Sequence, residues 1–464
     1  MKNSRTAVRG LMGILCVGIF QGCGGGYHAP ASMTPTSISI NLSPTTVVAG
    51  HPSTLMWSAT TGTTCTASGA WSGTQPVSGT MTVTGTAAGS ETFTLTCTGG
   101  IYSSSTASAT LTVTAASAAT VTQLVSDVAG GMAAHVDTNL VNPWGVSIAA
   151  PPSTAPSWVA NNGTQTSTLY DGNGVPQPAA TPLIVNLAPG AGGAAFDPTG
   201  IVANSSATDF LVSAGGKSGS SAFIFDGAAG MIAGWSPSVD LTHAVTMYTD
   251  AGGAVYKGLA IAANNGALFL YATDFHNNKI DVFNTSFVKQ SPSATAFTFT
   301  DPSIPAGYAP FGIQAVPGSG AAGATQIYVT YAQQAAGNIT TNGPGLGYVD
   351  IYDTNGKLIK QLIATGVLNA PWGIALAPAD FGTFSGALLV GNFGDGTINA
   401  FDPAAGTPLG MLANTNGGTS AAPGLLGIAF GNDGNSQPHN TLFFASGLNG
   451  GADGVYGRID LTSP

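Results

Sequence analysis

Charged side chains are scarce in this chain of 464 residues: Asp, Glu, Lys and Arg make up only 6% of it, against roughly 25% in ordinary soluble proteins. Glu91 is the only glutamate. Lys/Glu-rich helix faces are therefore missing, which excludes a helical bundle, and the 66 glycines favour an all-β protein with many tight turns. Once Lys2, Arg5 and Arg9 are removed in processing, seven basic residues face 20 acidic ones. The resulting formal charge of −13 excludes a nucleic-acid-binding surface.

Cysteine is also rare, with four residues in the chain. Cys16 falls in the segment that we expect to be cleaved, and Cys23 is the expected lipid acceptor. Cys65 and Cys97 remain as an even pair, and in an oxidising compartment we expect them to form a disulfide. No Cys or His spacing predicts a zinc or redox site.

The N-terminus has the three parts of a bacterial export signal. Lys2, Arg5 and Arg9 form a basic start, residues 11–20 form an apolar core too short to span a bilayer, and Gly22-Cys23 follows. This end resembles a lipobox, which implies a signal peptide over 1–22, lipidation of Cys23 and a Gly-rich tether over 23–36. The alternative is a plain cleaved signal. We expect a lipoprotein of the outer membrane or cell surface, or otherwise a periplasmic or secreted protein.

Residues 37–115 alternate apolar and polar side chains with a period of two. Thr or Ser occupies one face of each run and apolar residues the other, as in Thr92-Phe93-Thr94-Leu95-Thr96-Cys97. This pattern predicts about seven short antiparallel strands in a β-sandwich. The segment, with Trp57 as a predicted core residue, resembles the Ig-like modules of bacterial surface proteins.

From 116 to 464 one unit recurs six times. Each copy opens with a glycine before an apolar run, continues with a second strand, and closes a third strand with an Asx turn. The opening glycines are Gly145, Gly200, Gly258, Gly312, Gly373 and Gly427. A single sheet cannot bury both of its faces, so six copies predict a six-bladed β-propeller. The second strands include Phe210-Leu211-Val212, and the third-strand ends include Phe225-Asp226. The strand-like Val121–Val125 is expected to close the ring by pairing with residues near Tyr456–Ile459.

Two motifs carry a family resemblance. Asn277-Asn278-Lys279-Ile280-Asp281-Val282-Phe283-Asn284, placed after an opening strand, resembles NHL-type propeller repeats. The span 120–464 is similar to a family of bacterial secreted propellers, some with a PEP-CTERM sorting tail, through Leu140–Gly145, Ala272–Phe275 and Ala370–Ala375. No such tail follows Leu461, so attachment is expected at the N-terminus. The resemblance implies a fold but no activity.

Propellers bind ligands at the central mouth, on loops that follow the strands, and this places a candidate site on polar residues after the second strands. These residues are Asn161, Asn162, Asp274, His276, Tyr331, Asn392 and Asp395. Neutral amides and hydroxyls dominate, as in a mouth for a sugar or a peptide. The alternative is that they serve only loop and blade-closing hydrogen bonds. Asp171-Gly-Asn173-Gly and Asp395-Gly resemble fragments of calcium loops, but neither completes a ligand set, so no cofactor is predicted.

These observations favour a surface scaffold that binds an extracellular glycan or protein, with no nucleic-acid partner and membrane contact only through the lipid. No nucleophile motif is found, no catalytic residue can be named, and the propeller lacks the glutamate that metal-dependent lactonase-like propellers use. The competing hypothesis is a hydrolase or lyase acting on extracellular carbohydrate, with Asp274, His276 and Asp395 near the mouth.

Overall fold

The computed structural model describes residues 34–50, 52–99, 102–115, 117–187, 193–293, 296–320, 323–412 and 424–462. Strands dominate these residues, with short 3₁₀ turns at Gly382–Phe384 and Asn449–Gly451. The predicted all-β class is confirmed. The predicted signal peptide and Cys23 lie outside the described residues. Among the residues described, no helix has the length and apolarity needed to cross a membrane.

The chain divides into two compact units. The first comprises residues up to Thr45 together with Pro52–Val83 and Ser90–Thr112, and the second comprises the rest. Strands of the N-terminal part bury alternate residues, as the period of two predicts. They are β1 (Thr34–Pro35), β2 (Ile38–Ser43), β3 (Thr46–Val48), β4 (Pro52–Ala59), β5 (Thr64–Gly69), β6 (Gly73–Gln75), β7 (Ser78–Thr84), β8 (Gly89–Gly99) and β9 (Tyr102–Thr114). One sheet has the order β1-β9-β8-β5-β6 and another has the order β2-β4-β7.

Cys65 and Cys97 face each other on β5 and β8 and are bonded, so the predicted disulfide is confirmed. Both are fully buried. Trp57 also belongs to this core, where its ring meets Trp71 edge-on at 5.0 Å between centroids. The disulfide therefore joins neighbouring strands at the centre of the unit.

The second unit, here called the ring unit, is built almost entirely from short strands. They are β10 (Ala119–Ser126), β11 (His135–Val136), β12 (Pro143–Ser147), β13 (Ser157–Asn161), β14 (Thr166–Tyr170), β15 (Ile184–Asn186), β16 (Pro198–Ala203), β17 (Leu211–Ala214), β18 (Lys217–Ser220), β19 (Phe223–Gly227), β20 (Met231–Trp235), β21 (Val245–Thr249), β22 (Tyr256–Asn264), β23 (Ala267–Asp274), β24 (Lys279–Phe283), β25 (Lys289–Gln290), β26 (Tyr308–Val316), β27 (Gln326–Ala335), β28 (Ile339–Thr341), β29 (Tyr348–Tyr352), β30 (Leu358–Ala364), β31 (Pro371–Leu376), β32 (Leu388–Asn392), β33 (Ile398–Phe401), β34 (Pro408–Met411), β35 (Leu425–Phe430), β36 (Leu442–Leu448) and β37 (Asp453–Leu461).

These described strands form six sheets and one separate hairpin, β17-β18. Sheets one to six have the orders β12-β13-β14-β15, β16-β19-β20-β21, β22-β23-β24-β25, β26-β27-β29-β30, β31-β32-β33-β34 and β35-β36-β37-β10-β11. The inner strands β12, β16, β22, β26, β31 and β35 adjoin one another in a closed cycle. Sheets arranged radially around an axis in this way form a β-propeller, so the predicted propeller fold is confirmed.

Two features allow the ring to close. A Cβ on Gly145 would lie 2.7 Å from the carbonyl oxygen of Thr199, and one on Gly427 would lie 2.5 Å from that of Trp144. Glycine therefore permits neighbouring inner strands to approach each other. The predicted pairing of the first strand with the last is also confirmed, since Val121 lies opposite Ile459 in sheet six.

The second repeat differs from the sequence prediction. Leu211 and Val212 belong to the β17-β18 hairpin, and the strand that pairs with β16 is β19, which holds Phe225 and Asp226. The predicted second strand at 210–212 and the predicted third-strand end at Asp226 are therefore wrong. Gly215 and Gly216, both with positive φ, turn the chain into a local hairpin. Asx turns are confirmed at Asp171, Asn284, Asp353 and Asp402, each accepting backbone N–H bonds from residues two to four positions later. The sixth predicted turn, at Asp460, is wrong, because Asp460 lies within β37 and accepts from Thr441 Oγ1.

Candidate functional site

The polar residues predicted to line the mouth lie at one end of the ring. Register places Asn161, Asp274 and Asn392 opposite the first residues of their inner strands, namely Pro143, Tyr256 and Pro371. Tyr331 lies opposite Pro310, the third residue of β26. We call this the loop end, where inner strands begin and second strands finish.

The amides at the loop end hold loops in place. Asn161 is fully buried and donates to Thr166 Oγ1 and Thr168 Oγ1 at 3.2 and 3.0 Å. Asn392 accepts from the Asn369 N–H at 3.1 Å and donates to a loop carbonyl. Asn162 is half-buried, and its Nδ2 donates to the Pro198 carbonyl at 3.3 Å, which links sheets one and two. These contacts connect the loops of the loop end to one another and to the strands.

Asp274, His276 and Asp395 each contact different partners. The buried Asp274 accepts hydrogen bonds from the Val255 N–H at 3.1 Å and from Asn277 Nδ2 at 2.7 Å. The exposed His276 places Nδ1 2.7 Å from the side-chain oxygen of a different residue, Asn338. Asp395 lies on the loop after β32, in sheet five rather than sheet three. Within the described ranges, no group of three or more His, Cys, Asp or Glu side chains is arranged to hold a metal ion.

Tyr331 belongs to a buried network rather than to an open mouth. Its hydroxyl lies 2.7 Å from that of Tyr352, which donates to Asp350 at 3.0 Å. Burial, reinforced by the nearby Asp301 carboxylate, raises the pKa of Asp350 to about 7. The network therefore retains a proton on a carboxyl group near neutral pH.

The axis itself is filled at the loop end by the residues that directly precede five of the six opening glycines. We call this group the axial cluster; it consists of Trp144, Lys257, Phe311, Trp372 and Leu426. Trp144 meets both Phe311 and Trp372 edge-on at 6.1 Å between ring centroids. Leu426 packs in the same apolar group. Because these side chains come from strands across the ring, they close the axis at this end.

Lys257 is the cation of the axial cluster. Its Nζ lies 4.9 Å from the centroid of the Trp144 ring, within range of a cation–π interaction. Its carbonyl oxygen accepts from Trp372 Nε1 at 2.8 Å. Burial lowers the pKa of Lys257 to about 8, against the opposing pull of the Asp197 and Asp226 carboxylates.

Asp226 lies beside the cluster at the loop-end terminus of β19. Its Oδ1 accepts from the Gly200 N–H at 2.5 Å and from Thr199 Oγ1 at 2.8 Å. Among the described residues its Oδ2 has no hydrogen-bond partner, and neither does the buried Nε1 of Trp144. Burial raises the pKa of Asp226 to about 7. Unsatisfied donors and acceptors are rare in protein interiors, so both atoms are exceptions in this part of the ring unit.

Sequence reasoning did not single out Lys257 or Asp226 as site residues. Lys257 interrupts the apolar position before Gly258, and this interruption is a sequence signal that could have identified it. Asp226 was hidden, because the β17-β18 hairpin shifts it from the third strand of its repeat to the second. Thr330 shows the equivalent position in sheet four, where its Oγ1 accepts from the Gly312 N–H at 2.8 Å.

At the opposite end, the inner strands line a cavity of about 400 Å³. Its walls are mostly small and aliphatic side chains, including Ile148, Ile261 and Leu376, with Gln314 as a polar exception. The axial cluster separates this cavity from the loop end.

Two proteins of Acanthamoeba polyphaga mimivirus are similar in sequence. Uncharacterized protein R648 is 32% identical over 339 residues, covering 70% of this chain and 76% of its own length. Uncharacterized protein L690 is 31% identical over 344 residues, covering 71% and 82%. No protein-family model matches the chain.

Solved structures give a weaker likeness. A gluconolactonase from Xanthomonas campestris superposes with a TM-score of 0.40 at 11% identity, over 70% of this chain and 89% of that one. A glucose dehydrogenase gives a TM-score of 0.42 at 13% identity, over 74% and 100%.

Proposed function

The chain belongs to the family of the mimivirus proteins R648 and L690, and we propose that it is a binding module of that family whose loop end recognises extracellular glycans. Each match is longer than the N-terminal unit, so the family includes much of the ring unit. The proposed role is that of a scaffold presenting a rigid recognition surface, with a protein partner as the other candidate for the bound molecule.

The observation that carries this proposal is a pair of half-exposed aromatic side chains at the sealed axis. Trp372, a member of the axial cluster, and Phe393, which packs against it, both keep part of their surface in solvent. Phe393 lies 6.3 Å from Phe311 between ring centroids, which fixes its position. Aromatic surfaces beside neutral amides match a sugar ring, which is apolar on its faces and carries hydroxyl groups at its edge.

The N-terminal parts of the chain support a role in which the propeller is displayed outside the cell. We propose export through the signal at 1–22, acylation of Cys23, and an Ig-like spacer over 37–115 that carries a propeller of six blades, one for each sheet. The Thr-rich outer faces of β8 and β9 and the disulfide suit a spacer in an oxidising compartment. Attachment to a membrane surface would rest on the N-terminal lipid alone.

One observation favours the alternative, a hydrolase or lyase acting on extracellular carbohydrate. A carboxyl with a pKa of about 7, as at Asp226, is suited to general acid catalysis. Asp226 is fully buried, however, and its Oδ1 already accepts two hydrogen bonds. Release of reducing ends from polysaccharides by the wild type, abolished in Asp226→Asn, would favour the enzyme.

The binding proposal is tested by screening the full chain on an array of neutral glycans. Phe393→Ala should weaken binding at least about tenfold, equivalent to about 1.4 kcal/mol. Leu376→Ala, at the opposite end of the ring, should leave it unchanged. Matched circular dichroism spectra would show that both variants are folded. Equal losses in the two variants would contradict the loop-end site, and an array with no bound glycan would overturn the glycan assignment in favour of a protein partner.

A further inference from the structure

Two cavities lie on the axis of the ring unit beyond the axial cluster. The larger is the cavity of about 400 Å³ at the end opposite the loop end, here called the axial funnel, and the smaller, here called the polar pocket, has a volume of about 30 Å³. Trp372 borders the polar pocket but not the funnel, so the pocket lies between the axial cluster and the funnel. The two cavities are adjacent, because the same six residues line both: Val146, Ile201, Leu259, Gln314, Ile374 and Ile428.

Apolar side chains form the wall of the funnel in two layers. The residues directly after the opening glycines form the first layer, at the junction with the polar pocket, and five of these six side chains are buried. The residues three positions after the glycines form the second layer, and none of them is buried: Ile148, Ala203, Ile261, Ala315, Leu376 and Phe430. Among the described residues that line the funnel, only Ser147 and Gln314 have polar side chains and none is charged. This concave wall therefore exposes apolar surface that a ligand can remove from water.

The polar pocket is lined mainly by backbone. Most of the surface that faces it is polar, yet four of its lining residues are the opening glycines Gly145, Gly200, Gly373 and Gly427. Gln314 and Trp372 are the members of its lining with polar side chains, and Trp372 Nε1 already donates to the Lys257 carbonyl. Each inner strand is the terminal strand of its sheet in the described ring unit, so one edge of its backbone faces the axis with N–H and C=O groups that no neighbouring strand pairs. The pocket thus offers both donors and acceptors, in a space large enough for one or two water molecules.

We propose that the axial funnel binds a straight-chain primary alcohol, with its hydroxyl group in the polar pocket and its alkyl chain along the axis. A hydroxyl group both donates and accepts hydrogen bonds, as the backbone edges require, whereas a carboxylate only accepts and an ammonium only donates. A charged head group would also lose its hydration at a place where no lining residue carries the opposite charge. This site does not depend on glycan binding at Phe393.

The volume of the funnel sets the length of the alkyl chain. An apolar cavity of about 150 Å³ holds one benzene molecule, so the funnel of about 400 Å³ accommodates roughly 10–15 carbon atoms. Each methylene group that leaves water for this wall should raise the affinity about fourfold, which corresponds to about 0.8 kcal/mol. Affinity should therefore depend steeply on chain length until the funnel is full.

Isothermal titration calorimetry of the full chain with 1-hexanol, 1-octanol and 1-decanol tests the site. At about fourfold per methylene group, 1-decanol should bind on the order of a hundredfold more tightly than 1-hexanol. Decanoate at pH 7.5 should bind at least about tenfold more weakly than 1-decanol, because its carboxylate is charged and cannot donate a hydrogen bond. A gain of less than about twofold per methylene group, or decanoate binding as tightly as 1-decanol, would overturn the proposal.

A pair of variants places the bound alcohol in the funnel. Ala315→Phe fills the second layer and should weaken 1-decanol binding at least about tenfold. Val288→Phe, an enlargement at an exposed position that does not line the funnel, should leave the affinity unchanged, and matched circular dichroism spectra would show that both variants are folded. Equal affinity of Ala315→Phe and wild type would overturn the proposal. Phe393→Ala should keep 1-decanol binding while it weakens glycan binding, so failure of one site is distinguishable from failure of the other.

Discussion

Trp144 and Phe311 lie on inner strands three positions apart in a cycle of six, and their ring centroids are 6.1 Å apart across the axis. Each ring is almost completely buried. The axis is therefore part of the hydrophobic core at this end, and one aromatic side chain bridges sheets that share no backbone hydrogen bonds.

Replacing Trp144 with alanine should lower the free energy of unfolding of the ring unit by about 3–5 kcal/mol, as for other buried aromatic residues. The lost contacts include Phe311, Trp372 and the Lys257 ammonium group. Val128→Ala, at a half-exposed loop position, should change it by less than about 0.5 kcal/mol. Urea denaturation followed by circular dichroism measures both. Equal stability of the two variants would mean that the axial cluster contributes nothing to ring closure.

Reducing the Cys65–Cys97 disulfide should destabilise the N-terminal unit selectively. Its closed loop of 32 residues corresponds to about 4 kcal/mol in the chain-entropy model. Calorimetry with and without reductant should show one transition move to lower temperature while the transition of the ring unit stays in place. A parallel shift of both transitions would contradict this selectivity.

Both Asp226, whose pKa is also raised to about 7, and Asp350 should make stability fall as pH rises from 4 to 7, and the contribution of Asp350 can be separated by mutation. Its pKa is raised from 3.8 to about 7 in the native chain, so in this range the folded state holds a proton that the unfolded state has released. The effect is absent below pH 4 and complete above pH 7, and amounts to at most about 4 kcal/mol. Asp350→Asn should make this part of the pH dependence shallower in urea titrations, leaving the contribution of Asp226. An unchanged slope in Asp350→Asn would refute the assignment.

Cys23→Ala should convert a detergent-partitioning protein into an aqueous one. The expectation follows from the basic start, the short apolar core and Gly22-Cys23. Phase separation in detergent of both proteins after expression with an export system measures it. Equal partitioning of the two proteins into the aqueous phase would exclude acylation.

The repeat was predictable because each opening glycine and each closing Asx residue meets a requirement of the backbone close to it in sequence. Gly145 allows close strand approach, and Asp171 or Asp353 caps a turn with its own side chain. Such requirements involve only a few neighbouring residues, so the same residue types recur at similar positions in each repeat. The closing pair Val121 and Ile459 was also predictable, since a strand-like segment before the first repeat has an open sheet edge to occupy.

The axial cluster was not predictable in the same way. Whether the side chain before an opening glycine reaches the axis depends on how many inner strands surround it and how tightly they pack. Lys257 meets Trp144 only because strands from different repeats converge there. Likewise, Asp226 lies on the second strand of sheet two and not on the predicted third, because the turn at Gly215 and Gly216 makes β17 and β18 a separate hairpin. Periodicity alone cannot distinguish a strand of such a hairpin from the next strand of a sheet.

The position of β10 in sheet six determines when the ring can be completed. Asp127, just after β10, accepts a hydrogen bond from the Gly454 N–H, 327 residues later in the chain. During synthesis β10 therefore stays unpaired until β37 has been made, when nearly the whole protein has emerged. Until then its sheet edge is open and Val125, which is buried in the folded chain, is exposed. β37, the last strand to be made, completes the ring by pairing with β10. In a chain that ends before β37, β10 keeps an unpaired edge and is the segment most exposed to misassembly.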